Sequence, residues 1–348
     1  MRPRLLRADN LTPPTRTPWG GERILSRYKD GLEVTPQSVV GESWEVSVEP
    51  SFPSRFDDDG TLLADAISTD PNGWLGHGVA ARYGGQTPLL IKLLDSADNL
   101  SVQVHPQDGD TALGPDESGK PEAWIILDAE PGAGLYLGFR EGITREDVAA
   151  CLRDQGPLDT LMNFVPVTSG DAFVIAAGTA HAIGAGVTLV EPQFVTPGRR
   201  GLTYRFWDWN RRYDGRGRRD PQGSPRELHV TRSLEVTAWD HPGGDPFVEG
   251  CRAAPQHLSS GSGTLTRARV IDWPWFMTER WTGTGEMNLP PFGTLLALTA
   301  VKGHGALHTP KHTLAVRRGQ SVVVPADARP LTVSGEGLDL LATYSSPT

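Results

Sequence analysis

The sequence predicts a mainly β fold built from two similar β-rich units, and three observations predict it. The chain of 348 residues holds 40 Gly and 29 Pro, which suits short strands joined by tight turns better than a helical protein. Runs rich in Val, Ile, Leu and Trp, bounded by Gly, Pro or Asp, recur at 43–48, 89–94, 100–105, 123–127, 172–176 and 187–190. The stretch GDAFVIAAGTAH at 170–181 is echoed by GQSVVVPADARP at 319–330: a Gly, a polar residue, an apolar run, then a turn near Ala176 or Pro325. An echo at that separation points to two related β units. The second copy carries Pro330 where the first carries His181, so any chemistry at that position is expected only in the first.

Helices are few. One short helix is expected at 61–67. A better one begins at Thr144, where Thr144 and Asp147 have the spacing of a capping box and Val148, Cys151 and Leu152 form an apolar stripe. With a further short helix at 158–162, these make a helical insert over about 140–165. The segment DHPGGDP at 240–246 has the composition of a linker. It divides the chain into a first domain, 1–240, and a second, 241–348, which is expected to lack a metal site.

Bulk composition narrows the function. Hydrophobic residues at 38% and charged residues at 22% indicate a folded globular chain. A net charge of −9 disfavours a general binder of nucleic acid or anionic membrane. No run of 18 apolar residues predicts a membrane span, and the opening MRPRLLRADNLTPPTR lacks the apolar core of a signal peptide. Cys151 and Cys251 are too few for a disulfide framework or a cysteine zinc site. A cytoplasmic protein, monomeric or homodimeric, is the expectation. Eight Arg between 199 and 219 alternate with Tyr204, Phe206, Trp207, Trp209 and Tyr213. Such interleaving can stack on single-stranded nucleic acid, but with this net charge a solvated loop beside a phosphate site is the expected reading.

Four residues are candidates for a metal centre. In LSVQVHP, Ser101, Gln103 and His105 share one face of a strand. That face is either solvated or ligand-bearing. Glu122 opens an apolar strand in GKPEAWIIL, and His181 sits among small residues in AAGTAHAIGAG. Together Gln103, His105, Glu122 and His181 offer an amide oxygen, two imidazoles and a carboxylate, a donor set that suits zinc. Lys92 lies inside the apolar run PLLIKLLD. Burial of an ammonium is costly without a partner, so it faces a cavity or a carboxylate, or else snorkels from an edge strand.

The segments LSVQVHP, GKPEAW and GTAHAIGAGVTLVEPQ, with PWGG at 18–21, GESWEVS at 41–47 and TYRFWDWNR at 203–211, resemble those of the type I mannose-6-phosphate isomerases and occur in that family's order. The resemblance covers about 18–229. It implies a pair of cupin β-barrels, one Zn²⁺ per chain held by Gln103, His105, Glu122 and His181, and a sugar phosphate substrate. It further implies that Ser101, Lys92 and Lys120 line the substrate pocket, that Arg205 is catalytic, and that Glu191 is the pocket carboxylate and a candidate base. The implied reaction interconverts mannose 6-phosphate and fructose 6-phosphate through an enediolate. Another metal-dependent cupin enzyme, such as an oxygenase, and a non-catalytic sugar-binding cupin are the alternatives. An amide ligand at Gln103 disfavours redox iron, and retention of Lys120 and Arg205 disfavours a mere binder. Two departures from the family stand out. Ala176 replaces a Pro, and the link PQFVTPGRRGLTY before Arg205 is longer and carries Arg199 and Arg200.

Overall fold

The structure, a computed structural model, describes residues 1–34 and 39–346. Its strands in chain order are β1 (Arg4–Leu5), β2 (Glu42–Val46), β3 (Leu89–Ser96), β4 (Val102–Val104), β5 (Glu117–Ser118), β6 (Glu122–Ala129), β7 (Gly134–Phe139), β8 (Met162–Pro166), β9 (Ala172–Ile175), β10 (His181–Ile183), β11 (Val187–Phe194), β12 (Arg200–Gly201), β13 (Tyr204–Trp207), β14 (Arg212–Tyr213) and β15 (Ser224–Pro225). The remainder are β16 (Gln256–Ser260), β17 (Thr266–Asp272), β18 (Phe276–Leu289), β19 (Leu296–His308), β20 (Thr313–Arg317), β21 (Ser321–Val324) and β22 (Leu331–Ser345). Five α-helices accompany them among the described residues: α1 (Leu63–Thr69), α2 (Pro71–Arg82), α3 (Arg145–Arg153), α4 (Val230–Val236) and α5 (Gly244–Cys251). The fold is mainly β, as expected.

Two five-stranded sheets, ordered β2-β3-β11-β6-β9 and β13-β4-β10-β7-β8, form the first unit. Leu94, Trp124, Ile126, Leu137, Ile183 and Leu189 from the two sheets share one apolar core. The second unit is a sheet ordered β1-β21-β19-β22-β18-β17-β16, with β20 on β19, closed over its own core of Trp281, Leu298, Leu307 and Leu340. β1, from the start of the chain, lies at the edge of this second sheet. Helix α5 follows the proposed division at residue 240 and packs on β7, β8 and β9 of the first unit.

Strand β3 explains how the units join. All eight residues of LLIKLLDS are buried, because both faces are covered. Leu94 points into the first unit's core, whereas Leu89, Ile91 and Leu93 belong to a cluster that also holds Ile271, Phe276, Val323 and Leu341 of the second unit. Each such side chain contributes about 1.5–3 kcal/mol on burial. The same alternation runs through β11 and β6. Val187 and Leu189, and Trp124 and Ile126, face the first core, while Val190, Ala123 and Ile125 face the second unit. By that period of two, Lys92, Glu191, Gln193 and Glu122 project to the inner side.

The echoed segments do correspond to similar elements. β9 and β21 are four-residue strands, each preceded by a Gly at positive φ, Gly170 at 101° and Gly319 at 83°. The helical reading needs correction in several places: α4 and α5 were not expected, and α5 begins within the segment 240–246 read as a linker. The expected insert is shorter than 140–165: α3 carries the Thr144–Asp147 capping box and a 3-10 turn spans Leu158–Leu161, but 162–166 is β8, paired with β7. The helix expected at 61–67 is α1, begun two residues later. Helix α2 was not expected. Its N-cap Asp70 accepts from the Gly73 amide and Pro71 fills the first turn, which starts the helix despite three glycines, and Gly76 interrupts it with φ 75°. No helix among the described residues is long and apolar enough to cross a membrane.

Candidate metal centre and active site

His105, Glu122 and His181 converge between the two sheets of the first unit, their ligand atoms within 4.8 Å of one another. Glu122 stands at the start of β6 and His181 at the start of β10. Glu122 Oε2 lies 3.2 Å from His105 Nε2, and Glu122 Oε1 lies 3.3 Å from His181 Nε2. All three residues are at most 1% exposed, yet His105 Nε2, His181 Nε2 and Glu122 Oε1 have no hydrogen-bond partner among the described residues. Three orphaned donor atoms facing one point would be costly in a closed protein interior. Ligands around a zinc ion at 2.0–2.2 Å stand about 3.4 Å apart, so the spacing fits such an ion.

The imidazoles are also turned for metal binding. His105 Nδ1 faces the Leu202 carbonyl oxygen and His181 Nδ1 that of Thr179, both at 2.9 Å. Each ring thus donates through Nδ1 and leaves the Nε2 lone pair for an ion, the arrangement metal-bound histidines adopt. Burial pulls the His181 pKa down to about 3, with Glu122 opposing, and burial also lowers that of His105, assisted by the Lys120 charge. Both rings are therefore neutral, as ligation requires. Burial works against ionisation of Glu122, but His105 and Lys120 outweigh it and hold the carboxyl below its ordinary range. With His105 neutral, Lys120, whose Nζ is 3.7 Å from Glu122 Oε2, is the standing charge. Gln103 is the register partner of His181 on β10 and of Arg205 on β13, which sets its side chain beside the trio.

Above this cluster is a cavity of about 250 Å³, whose walls include Gln103, Ser101, Lys92, Lys120, Glu191 and Arg205. The sequence-predicted substrate and catalytic residues thus meet in one place. The cavity adjoins a larger one of about 770 Å³ that shares Arg16, Lys92, Lys120 and Thr203 and takes in Arg199 and Arg200 of the long link. That link pairs β12 with β5 in parallel, Arg200 opposite Glu117, and so folds against the segment leading to Lys120.

Further residues complete the site. Gln193 Nε2 donates to Glu122 Oε2 at 2.7 Å and to Glu191 Oε2 at 2.8 Å, bridging the metal ligand and the candidate base. Trp124 Nε1 donates to the other oxygen of Glu191 at 3.1 Å. Burial, reinforced by Glu122 and opposed by Lys92 and Lys120, raises the Glu191 pKa to about 7. Glu42 lines the cavity and accepts from Trp44 Nε1 at 2.9 Å. Lys92 Nζ lies 3.6 Å from Glu191 and 3.9 Å from Glu42, and over the Trp44 ring, 4.6 Å from its centroid. Arg205 Nε donates to Ser101 Oγ at 3.0 Å and its Nη1 to the Glu227 carbonyl at 2.7 Å. Burial and the neighbouring Arg226 draw its pKa down to about 10, which still leaves it charged at neutral pH. Gln193, Glu42 and Trp44 lie in quoted segments but were given no role from sequence, and Arg16 and Arg226 gave no signal there. The readable signal for Gln193 was its spacing of two from Glu191 on one apolar strand.

A family model described as "Phosphomannose isomerase type I, catalytic domain" matches residues 16–129. The chain is related to the type I phosphomannose isomerases. It is 28% identical to the mannose-6-phosphate isomerase of Streptococcus mutans over 331 residues, 94% of this chain and 95% of that one. It is 29% identical to a mannose-6-phosphate isomerase of Bacillus subtilis over 70% of each chain. The crystal structure of the mannose 6-phosphate isomerase from Bacillus subtilis superposes with a TM-score of 0.81 at 24% identity, covering 99% of this chain and all of that one. A structure of a putative mannosephosphate isomerase from Archaeoglobus fulgidus gives 0.76 at 25% identity, over 99% of each. A mannose 6-phosphate isomerase bound with zinc and yttrium gives 0.73 at 19% identity, over 99% of this chain and all of that one. The fold shared with these relatives is the cupin fold.

Proposed function

We propose that this chain interconverts mannose 6-phosphate and fructose 6-phosphate, with one zinc ion held by Gln103, His105, Glu122 and His181. The observation that carries the metal reading is the set of unpartnered, fully buried donor atoms on His105, Glu122 and His181, beside a cavity lined by cations. The relatives named mannose-6-phosphate isomerase supply the reaction.

Bound zinc would polarise the carbonyl and hydroxyl oxygens at C1 and C2 of the open-chain sugar. The chain's own residues do the rest. Glu191 takes the proton from one of these carbons and returns it to the other. Its pKa near 7 suits both halves of that exchange, and Trp124 and Gln193 fix its two oxygens. Arg205, held by Ser101 and the Glu227 carbonyl, offsets negative charge as the enediolate forms. Lys92 and Lys120 supply positive charge to the substrate phosphate. Incubating the purified chain with mannose 6-phosphate and zinc tests the reading: fructose 6-phosphate should accumulate, and a chelator should abolish its formation. Absence of product with zinc fully loaded would exclude the isomerase.

A further inference from the structure

The His–Glu–His cluster lies wholly in the first unit, yet the second unit reaches β2, the strand whose Glu42 lines the substrate cavity. Where the units meet, Lys29 Nζ is 2.9 Å from Glu45 Oε1, with the two side chains 1% and 3% exposed. Lys29 also donates to the Gly319 carbonyl at 3.3 Å. Ser321 Oγ donates to Glu45 Oε2 at 2.6 Å. Gly319 and Ser321 stand at the head of β21, in the echoed segment that carries no metal ligand. A Cβ at Gly319 would sit 1.9 Å from the Tyr28 carbonyl oxygen, so only glycine lets this turn press against the segment bearing Lys29. A buried pair of this kind is a weak source of stability, since apolar replacements are often neutral or stabilising. Its effect on geometry is more direct.

Glu45 is the extra residue of a bulge in β2. Trp44 pairs with Lys92 and Val46 with Ile91, and the register shifts between them. Bulges re-aim side chains. Here one side of β2 presents Glu42 and Trp44 to Lys92, and the other sends Glu45 into the second unit. We propose that Glu45, Lys29 and Ser321 form a positioning device through which the second unit sets Trp44 and Glu42, and through them the Lys92 ammonium, in the active-site cavity. None of the three touches the substrate cavity, and they act through β2. The second unit is then part of the active-site scaffold rather than an appended module.

The kinetic half of the test rests on the isomerase reading, so a second readout is independent of activity. Ser321→Ala removes one donor from Glu45 and leaves Lys29 in place. The expected result is unchanged zinc content and a rise in KM for mannose 6-phosphate of about twofold to thirtyfold, the range in which buried networks modulate distant sites, with kcat little altered. Amide hydrogen exchange in β2 should quicken while that in β6 does not. Ser321→Thr, which keeps the hydroxyl, should restore both. A lower melting temperature with wild-type KM and wild-type exchange in β2 would make the cluster purely structural and overturn the proposal. If the wild-type chain does not isomerise the sugar phosphate, the function fails separately, and exchange in β2 alone decides: quickened exchange supports positioning and unchanged exchange sinks it. Should Ser321→Ala not fold, Lys29→Arg, which keeps the charge but alters its reach, is judged by the same two criteria.

Discussion

Replacing Gln193 by Ala should loosen the metal without touching a metal ligand. Its amide donates to Glu122 at 2.7 Å and to Glu191 at 2.8 Å, and all three residues are buried. A hydrogen bond to a charged group contributes about 1.5–3 kcal/mol. Two would give about 3–6 kcal/mol at most, an upper bound because one donor group serves both and water can enter the vacated space. The share felt by the metal is smaller, since Glu122 keeps Lys120 nearby. Loss of a residue supporting a metal ligand typically weakens affinity about 10–100-fold, equal to about 1.4–2.8 kcal/mol. Zinc affinity, measured by competition with a chromophoric chelator, should fall by that factor, while circular dichroism stays as in the wild type. Glu191 loses a donor that favours its charged form, so the acid limb of the kcat/KM profile should move to higher pH. A variant with wild-type zinc affinity and an unmoved acid limb would refute the bridging role.

His181→Ala should abolish zinc binding and isomerisation while leaving the fold intact by circular dichroism, because the core around it is apolar and extensive. Arg205→Ala should lower kcat by about 10²–10³-fold, as for loss of a donor to developing charge, with little change in KM, whereas Lys120→Ala should raise KM; steady-state kinetics separate the two, and an effect of Arg205→Ala on KM alone would make it a phosphate anchor. Activity should rise with pH as Glu191, whose pKa burial raises above the ordinary carboxylate value, loses its proton, and Glu191→Gln should remove that limb along with most turnover. The sign for stability is opposite: the folded value lies above the ordinary 4.5, so the contribution of Glu191 to stability is full below about 4.5 and is lost as pH rises through about 7, a slope that chemical denaturation of the metal-free protein at several pH values should show less steeply in Glu191→Gln. Cys151→Ser with Cys251→Ser should leave zinc content and activity unchanged, since both thiols lie outside the site and burial raises their pKa values.

Much of the site was legible because its residues obey strand alternation. Ser101, Gln103 and His105 could be placed on one face from LSVQVHP alone. The convergence of Glu122 and His181 on that face could not, since it depends on which strands pair, and only the family resemblance suggested it. Lys92 was ambiguous for a physical reason: a lone charge in an apolar strand reads the same whether it meets solvent or a carboxylate. The structure resolves it between Glu42, Glu191 and the Trp44 ring. The second unit read poorly. Strands β18 and β22 are 14 and 15 residues long, but Gly283, Gly285, Gly335 and Gly337 break their apolar alternation, and the register shifts between Gly283 and Gly285. The start of α2 was readable from Asp70 and Pro71, but glycines at 73, 76 and 78 masked it.

The placement of β1 bears on how the chain comes together. Arg4 pairs with Val323 and Leu5 with Val322, and the terminal ammonium of Met1 meets Asp327 at 3.0 Å. During synthesis residues 4 and 5 must wait for residues 322 and 323 before they find their berth. Leu6, in the cluster shared by both units, waits with them. Contacts so distant along the chain are slow to close, and until then β21 is an open sheet edge of Val322, Val323 and Val324, the kind of surface that invites aggregation. A ribosome stalled shortly before β21 would therefore hold a nascent chain in which β1 has no strand to pair with and the shared core lacks Val323.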